Sequence, residues 1–183
     1  LQPFGFNRPA PVAPGLEAEF INAGHLLGSS YVRVRRSNAT GGTVLFGGDL
    51  GRYSRPVLPD PSPGVACDVL LLESTYGNRE HPPEDHGAEL ARIVNETVDR
   101  KGKLIIPSFA IGRVEEVLYW LKRLEDEKKV PILPVYVDSP MAVQALEYYR
   151  RHAAELDPDV RPARGEVCAF CTERFRTISS GAE

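Results

Sequence analysis

Ala23-Gly24-His25-Leu26-Leu27-Gly28-Ser29, Leu45-Phe46-Gly47-Gly48-Asp49-Leu50-Gly51-Arg52 and Val69-Leu70-Leu71-Leu72-Glu73-Ser74-Thr75-Tyr76-Gly77 decide how this chain is read. In each, an apolar or β-branched run ends in a turn of small residues that carries one chemically active side chain. A strand delivers a side chain to the edge of a sheet, and glycine lets the backbone turn sharply there. His25, Asp49 and Glu73 at three successive strand exits can therefore converge on one metal or one substrate.

Flanking segments extend this pattern. Leu16 to Asn22 alternates as a strand, with Leu16, Ala18 and Phe20 on one side and Glu17 and Glu19 on the other. Tyr31 to Arg35 alternates again, its arginines facing solvent, and pairs as a hairpin with Thr43 to Phe46 across the polar turn 37–42. Val69 to Leu72 is wholly apolar, as for a strand covered on both faces. The first fifteen residues hold Pro3, Pro9, Pro11 and Pro14 and read as an arm without regular structure.

Beyond Gly77 the period changes from two to 3.6. Leu90, Ile93, Val94, Thr97 and Val98 form one stripe of a helix over about 85–100, and Val114, Val117, Leu118, Leu121 and Leu124 mark a second. Leu104-Ile105-Ile106 and Pro134 to Val137 read as short strands. Ser139 with Pro140 opens a third helix, whose inner face is Ala142, Ala145, Leu146 and Tyr149. Such alternation belongs to parallel βαβ units. A boundary falls near Asn78, giving regions 1–77 and 78–183, and the sequence from Asp157 onward carries no readable pattern.

Composition narrows the function classes. With 42% hydrophobic and 26% charged residues the chain is globular rather than disordered. A net charge of −3 offers no global field for nucleic acid, although a bound metal can supply local positive charge. No apolar run approaches the ~18 residues of a membrane span. Three cysteines are too few for a disulfide framework, which favours a reducing, cytoplasmic setting. Cys168 and Cys171 form a lone C-x-x-C, a weak zinc or redox signal that reads as two small apolar side chains.

Taken in order, the three turns resemble consecutive motifs of the metallo-β-lactamase fold in its β-CASP branch of nucleic-acid hydrolases. Ile106-Pro107-Ser108-Phe109-Ala110-Ile111-Gly112-Arg113 and Val137-Asp138-Ser139-Pro140-Met141-Ala142 are similar to blocks of the β-CASP domain itself. The match runs from about Leu16 to Arg151. It implies an α/β fold: the C-terminal part of a metallo-β-lactamase αββα sandwich (1–77), then the start of a Rossmann-like β-CASP domain (78–183). It also implies a zinc-dependent ribonuclease acting on single-stranded RNA. His25 would ligate zinc, and Asp49 would bridge two ions about 3.5–4 Å apart. Glu73 would act in catalysis by holding a histidine that protonates the leaving oxygen. The family's H-x-H-x-D-H run and its later histidines are absent, so the chain is expected to be the middle of a longer enzyme, with exposed apolar surface when alone.

Each candidate has a plainer reading. His25 could be a loop histidine, Asp49 an Asx turn or helix cap, and Glu73 a partner for an arginine. Ser108 and Arg113 could bind substrate phosphate near a helix start, or Arg113 could pair with a neighbouring glutamate. Arg33, Arg35 and Arg36 could touch a nucleic-acid backbone, but a solvated strand face is the simpler expectation. His81 and His86 read as solvent-facing or capping residues, and His152 as a helix end. Two rival functions stand beside the ribonuclease. One is a small-molecule metallo-hydrolase of the same fold; the other is an inactive scaffold or RNA-binding relative. No membrane partner is expected, and a homodimer is one assembly the sequence allows.

Overall fold

The structure, a computed structural model, describes residues 2–37, 42–80, 82–83, 85–160 and 168–178. Leu1, most of the 37–42 turn, His81 and the stretch with Pro162 and Gly165 lie outside the described residues. Chain packing divides the molecule into two units, Leu1–His81 and Pro82–Glu183.

The first unit is a five-stranded sheet in the order β1 (Ala10–Ala13), β2 (Leu16–Asn22), β3 (Ser30–Arg36), β4 (Val44–Phe46), β5 (Val69–Leu71). Neighbours are antiparallel except β4 and β5, which are parallel. Register explains how the faces are used. Glu17 lies opposite Arg35, Glu19 opposite Arg33 and Ile21 opposite Tyr31, while Arg33 also lies opposite Leu45. That face is thus ionic at one end and apolar at the other. At the apolar end Ile21, Ala23, Tyr31 and Leu45 form a buried cluster against Leu50, Val65 and Cys67. Full burial of such side chains stabilises by about 1.5–3 kcal/mol each. The Tyr31 hydroxyl donates to Pro63 O at 2.6 Å and fastens the loop 56–64, which holds Pro56, Pro59, Pro61 and Pro63, over this core. On the opposite face, Phe4 of the arm stacks on Phe20 with ring centroids 5.5 Å apart.

Three expectations need correction here. The proline-rich arm does hold a strand: β1 pairs with β2, with an irregularity between Pro11 and Ala13. It lies at the edge of the sheet, where a missing N–H is tolerated. Arg33 and Arg35 do not simply face solvent but pair with Glu19 and Glu17 across the strands. And β5 is not covered: Val69, Leu70, Leu71 and Leu72 are each about half exposed, because β5 is the other edge strand and pairs only with β4.

In the second unit, α1 (Ala88–Asp99) and α2 (Arg113–Asp126) pack through Val94, Leu124 and Val130, with Leu90, Ala91, Leu121 and Leu133 around them. The Asp85 carboxylate accepts from the Gly87 and Glu89 amides, both at 3.0 Å, and so satisfies N–H groups at the start of α1. Those bonds hold its carboxyl below the usual range, the Glu89 amide contributing most. Strand β6 (Val135–Val137) leads into α3 (Pro140–Arg151) and, beyond two short 3-10 turns, to β7 (Phe175–Thr177), which lies parallel to β6. This is a βαβ unit, but its second strand lies in the stretch after Asp157 where the sequence carries no readable pattern. Ser139 caps α3 as its chemistry predicts, its Oγ accepting from the Ala142 amide at 3.3 Å.

Leu104-Ile105-Ile106 forms no strand, and Ile105 is 84% exposed. Among the described residues no neighbouring strand pairs with it, so a buried strand is not found there. Exposed apolar side chains, including those of β5, Ile105 and Phe109, match the surface expected for this chain alone. Cys168 and Cys171 are joined by a disulfide rather than packed as two free thiols, and Cys67 is free. Among the described residues no helix is long and apolar enough to cross a membrane.

Candidate metal centre

The three turns of the first unit meet through their backbones. The His25 turn follows β2 and closes on itself. Ser29 Oγ accepts from the His25 and Leu26 amides, both at 3.0 Å, and the Ser29 amide donates to Leu26 O at 2.9 Å. Asn22 Oδ1 accepts from the Gly24 amide at 3.0 Å, and Gly24 takes φ +63, a conformation suited to glycine. With its backbone donors engaged in this way, the loop holds the exposed imidazole on a fixed stem.

The Asp49 turn follows β4 and lies directly on the His25 turn. The Gly51 amide donates to Ala23 O at 2.7 Å. The third turn follows β5, which is registered on β4 by a bond from the Gly47 amide to Leu71 O at 2.8 Å. There the Glu73 carboxylate reaches back: Oε1 accepts from the Leu50 amide at 2.8 Å and Oε2 from the Thr75 hydroxyl at 3.0 Å. Those two bonds, the Leu50 amide first, lower the Glu73 carboxyl from its usual value, and the nearby His25 adds in the same direction. Half-buried Glu73 is therefore satisfied by hydrogen bonds and is a carboxylate at neutral pH.

His25, Asp49 and Glu73, from three distant points of the sequence, thus sit on three adjoining turns. Among the described residues no hydrogen bond or ion pair holds the His25 ring or the Asp49 carboxylate, and Asp49 forms no Asx turn or helix cap. Both are exposed, with donor atoms open to a ligand. An imidazole nitrogen and a carboxylate fit zinc, which takes four ligands at about 2.0–2.2 Å from such groups. The set is partial: among the described residues no three His, Cys, Asp or Glu side chains are grouped so as to hold a metal ion. By chemistry alone His25 and Asp49 are of the types that could each give one ligand to such an ion, and Glu73 lies on the adjoining turn.

Sequence reasoning missed the groups that build this stem. Ser29 could have been found, since Ser four residues after a turn residue is a common backbone-capping pattern. Gly51 and the Leu50 amide carry no local signal, because their partners lie more than twenty residues away. Glu73, which the resemblance gives the task of holding a histidine outside this chain, is bonded here to the Asp49 turn.

In the second unit, Arg113 is the first residue of α2 and pairs with Glu116 at 3.4 Å, its side chain 57% exposed. Ser108 is exposed and donates to Ile106 O at 3.4 Å; it does not cap α2, whose N-cap is Gly112. Of the remaining histidines, His81 is outside the described residues. His86 is exposed near the Trp120 ring, and His152 at the end of α3 pairs with Glu155 at 2.9 Å.

The Beta-Casp domain family model matches residues 114–183. The chain is 40% identical over 137 residues to Ribonuclease TTHA0252 of Thermus thermophilus, an alignment covering 74% of this chain and 31% of that protein. It is 32% identical over 154 residues to an RNase J-like protein of Methanocaldococcus jannaschii (82% of this chain, 36% of that protein). Against cleavage and polyadenylation specificity factor subunit 3 of Dictyostelium discoideum it is 31% identical over 154 residues (80% and 19%). The chain therefore spans about a third or less of the length of these relatives.

Proposed function

Because the chain belongs to the β-CASP branch of the metallo-β-lactamase superfamily, we propose that the whole protein is a zinc-dependent ribonuclease that hydrolyses phosphodiester bonds of single-stranded RNA in the cytoplasm. Residues 1–77 then contribute the later part of the metallo-β-lactamase domain, and 78–183 the opening of the β-CASP domain. The observation that carries this reading is the junction of three turns: Gly51 bonded to Ala23, and Leu50 bonded to Glu73. It joins the three turns that carry the side chains singled out by the family resemblance.

Each residue has a task in this reading. His25, on a turn clamped by Ser29, would offer a ring-nitrogen lone pair to zinc, and Asp49 its carboxylate. Glu73 keeps the Asp49 turn in place through the Leu50 amide, so its role in catalysis is carried out on the protein rather than on the substrate. The chemistry that a bound zinc would supply is an acidified water as nucleophile and positive charge beside the phosphate oxygens. Arg113 and Ser108 are available to the RNA backbone once Arg113 leaves its weak surface pair with Glu116.

The relatives' names support ribonuclease over a small-molecule hydrolase, since those proteins are called ribonuclease, RNase J-like protein and cleavage and polyadenylation specificity factor subunit 3. The test is zinc content and RNA cleavage by the full-length protein and its Asp49→Ala variant. Loss of both with retained circular dichroism is expected; wild-type cleavage by the variant rejects the reading.

A further inference from the structure

We infer that Gly51 is a positioning residue for the metal pair: it fixes the separation of the His25 and Asp49 turns by occupying a contact that admits no side chain. This inference rests on the metal reading given above.

The geometry is steric rather than conformational. A Cβ added at Gly51 would lie 2.1 Å from Gly24 O, 2.3 Å from Gly24 C and 2.8 Å from His25 N. All three are backbone atoms, so no side-chain rotation can relieve the overlap. Nor can the His25 turn step back easily. Gly24 is packed against the Pro61 backbone, where its own Cβ would lie 2.7 Å from Pro61 N. The turn is also closed by Ser29 and Asn22, and Asn22 is tied to the same proline loop, its Nδ2 donating to Asp60 O at 3.1 Å and its O accepting from the Ser62 amide at 3.0 Å. Three backbone layers, at residues 51, 24 and 61, are therefore stacked without slack.

A methyl group at position 51 must open the first of these layers. The overlap of well over an ångström is relieved only by moving the Asp49 turn away from the His25 turn. Zinc holds its ligands within a few tenths of an ångström of about 2.0–2.2 Å. A displacement of that size at one ligand separates it from an ion held by the other. Groups that orient metal ligands without touching the metal typically change affinity 10- to 100-fold when altered.

The test compares wild type, Gly51→Ala and Gly64→Ala in the full-length protein. Gly64 lies in the same unit, and a Cβ there meets nothing within 4 Å, so its variant adds the same methyl group without the contact. Apo proteins are compared by circular dichroism and thermal melting, and metal binding by zinc titration and by the visible spectrum of the cobalt(II)-substituted protein. The expected result is a Gly51→Ala protein that is folded without metal, binds zinc at least tenfold more weakly and shows a shifted cobalt spectrum, with Gly64→Ala like wild type. An unchanged affinity and spectrum in Gly51→Ala overturns the positioning role. So does a Gly51→Ala protein that is unfolded before metal is added, since the contact is then structural. A wild-type protein that takes up no zinc or cobalt rejects the metal reading itself, an outcome visible without either variant.

Discussion

The Leu50 amide donates to Glu73 Oε1 at 2.8 Å, joining the turn that carries Asp49 to the end of a strand 23 residues further along the chain. The acceptor is one carboxylate oxygen; the other takes the Thr75 hydroxyl. Glutamine retains an acceptor at this position, whereas alanine does not. Glu73→Gln in the full-length protein should therefore keep its zinc and cleave RNA slowly, while Glu73→Ala should lose zinc about tenfold more readily. Elemental analysis after dialysis, with single-turnover cleavage, separates the two. Equal zinc content and equal rates in all three proteins would return Glu73 to a purely structural part.

Arg33 and Glu19 lie opposite each other on β3 and β2 and form a half-buried ion pair. Cross-strand charge pairs contribute about 0.2–1 kcal/mol. A double-mutant cycle with Glu19→Ala and Arg33→Ala should give a coupling in that range in urea denaturation, with RNA affinity unchanged in Arg33→Ala. A large loss of RNA binding there would mean that the arginine serves the nucleic acid and not the sheet.

Glu115 is fully buried in the first turn of α2, and neither carboxylate oxygen finds a hydrogen-bond partner among the described residues. Burial pushes its carboxyl above the usual value. The folded state thus holds this proton more tightly than the unfolded state. Stability from this position is greatest below the ordinary carboxylate pKa and falls as pH rises through it toward the raised value. Glu115→Met, similar in length and without charge, should stabilise the protein at pH 8 by about 1–3 kcal/mol, and by less at pH 4.5. A variant less stable than wild type at pH 8 would show that the carboxylate has a partner in the whole protein.

Ser139 caps α3 through the Ala142 amide, with Pro140 at the first helical position. Ser139→Ala should cost about 1 kcal/mol of stability and leave cleavage unchanged. A loss of activity larger than the loss of folded protein would assign Ser139 a role at the substrate.

The parts of this molecule that were legible in the sequence are those set by neighbours along the chain. Strand β2 shows its alternation, α2 its 3.6-residue stripe, and α3 the Ser-Pro pair that begins it. What was misread depends on position in the sheet. Pro9 and Pro11 argue against a strand in isolation, yet an edge accommodates one. The run Val69 to Leu72 looks buried, yet it is also an edge. The site divides in the same way. His25, Asp49 and Glu73 stand out as reactive side chains in small-residue turns. The contact of Gly51 with Gly24, and the bond from Leu50 to Glu73, are properties of the folded chain that no local pattern encodes.

The central claim is that His25 and Asp49, carried on these adjoining turns, hold zinc for RNA cleavage. It is tested most directly by measuring zinc stoichiometry and cleavage of a single-stranded RNA by the full-length protein and by its Asp49→Ala variant, each checked by circular dichroism. The account predicts a folded variant depleted of zinc, with cleavage reduced by several orders of magnitude. A folded Asp49→Ala protein that keeps the wild-type zinc content and cleaves RNA at the wild-type rate would contradict it.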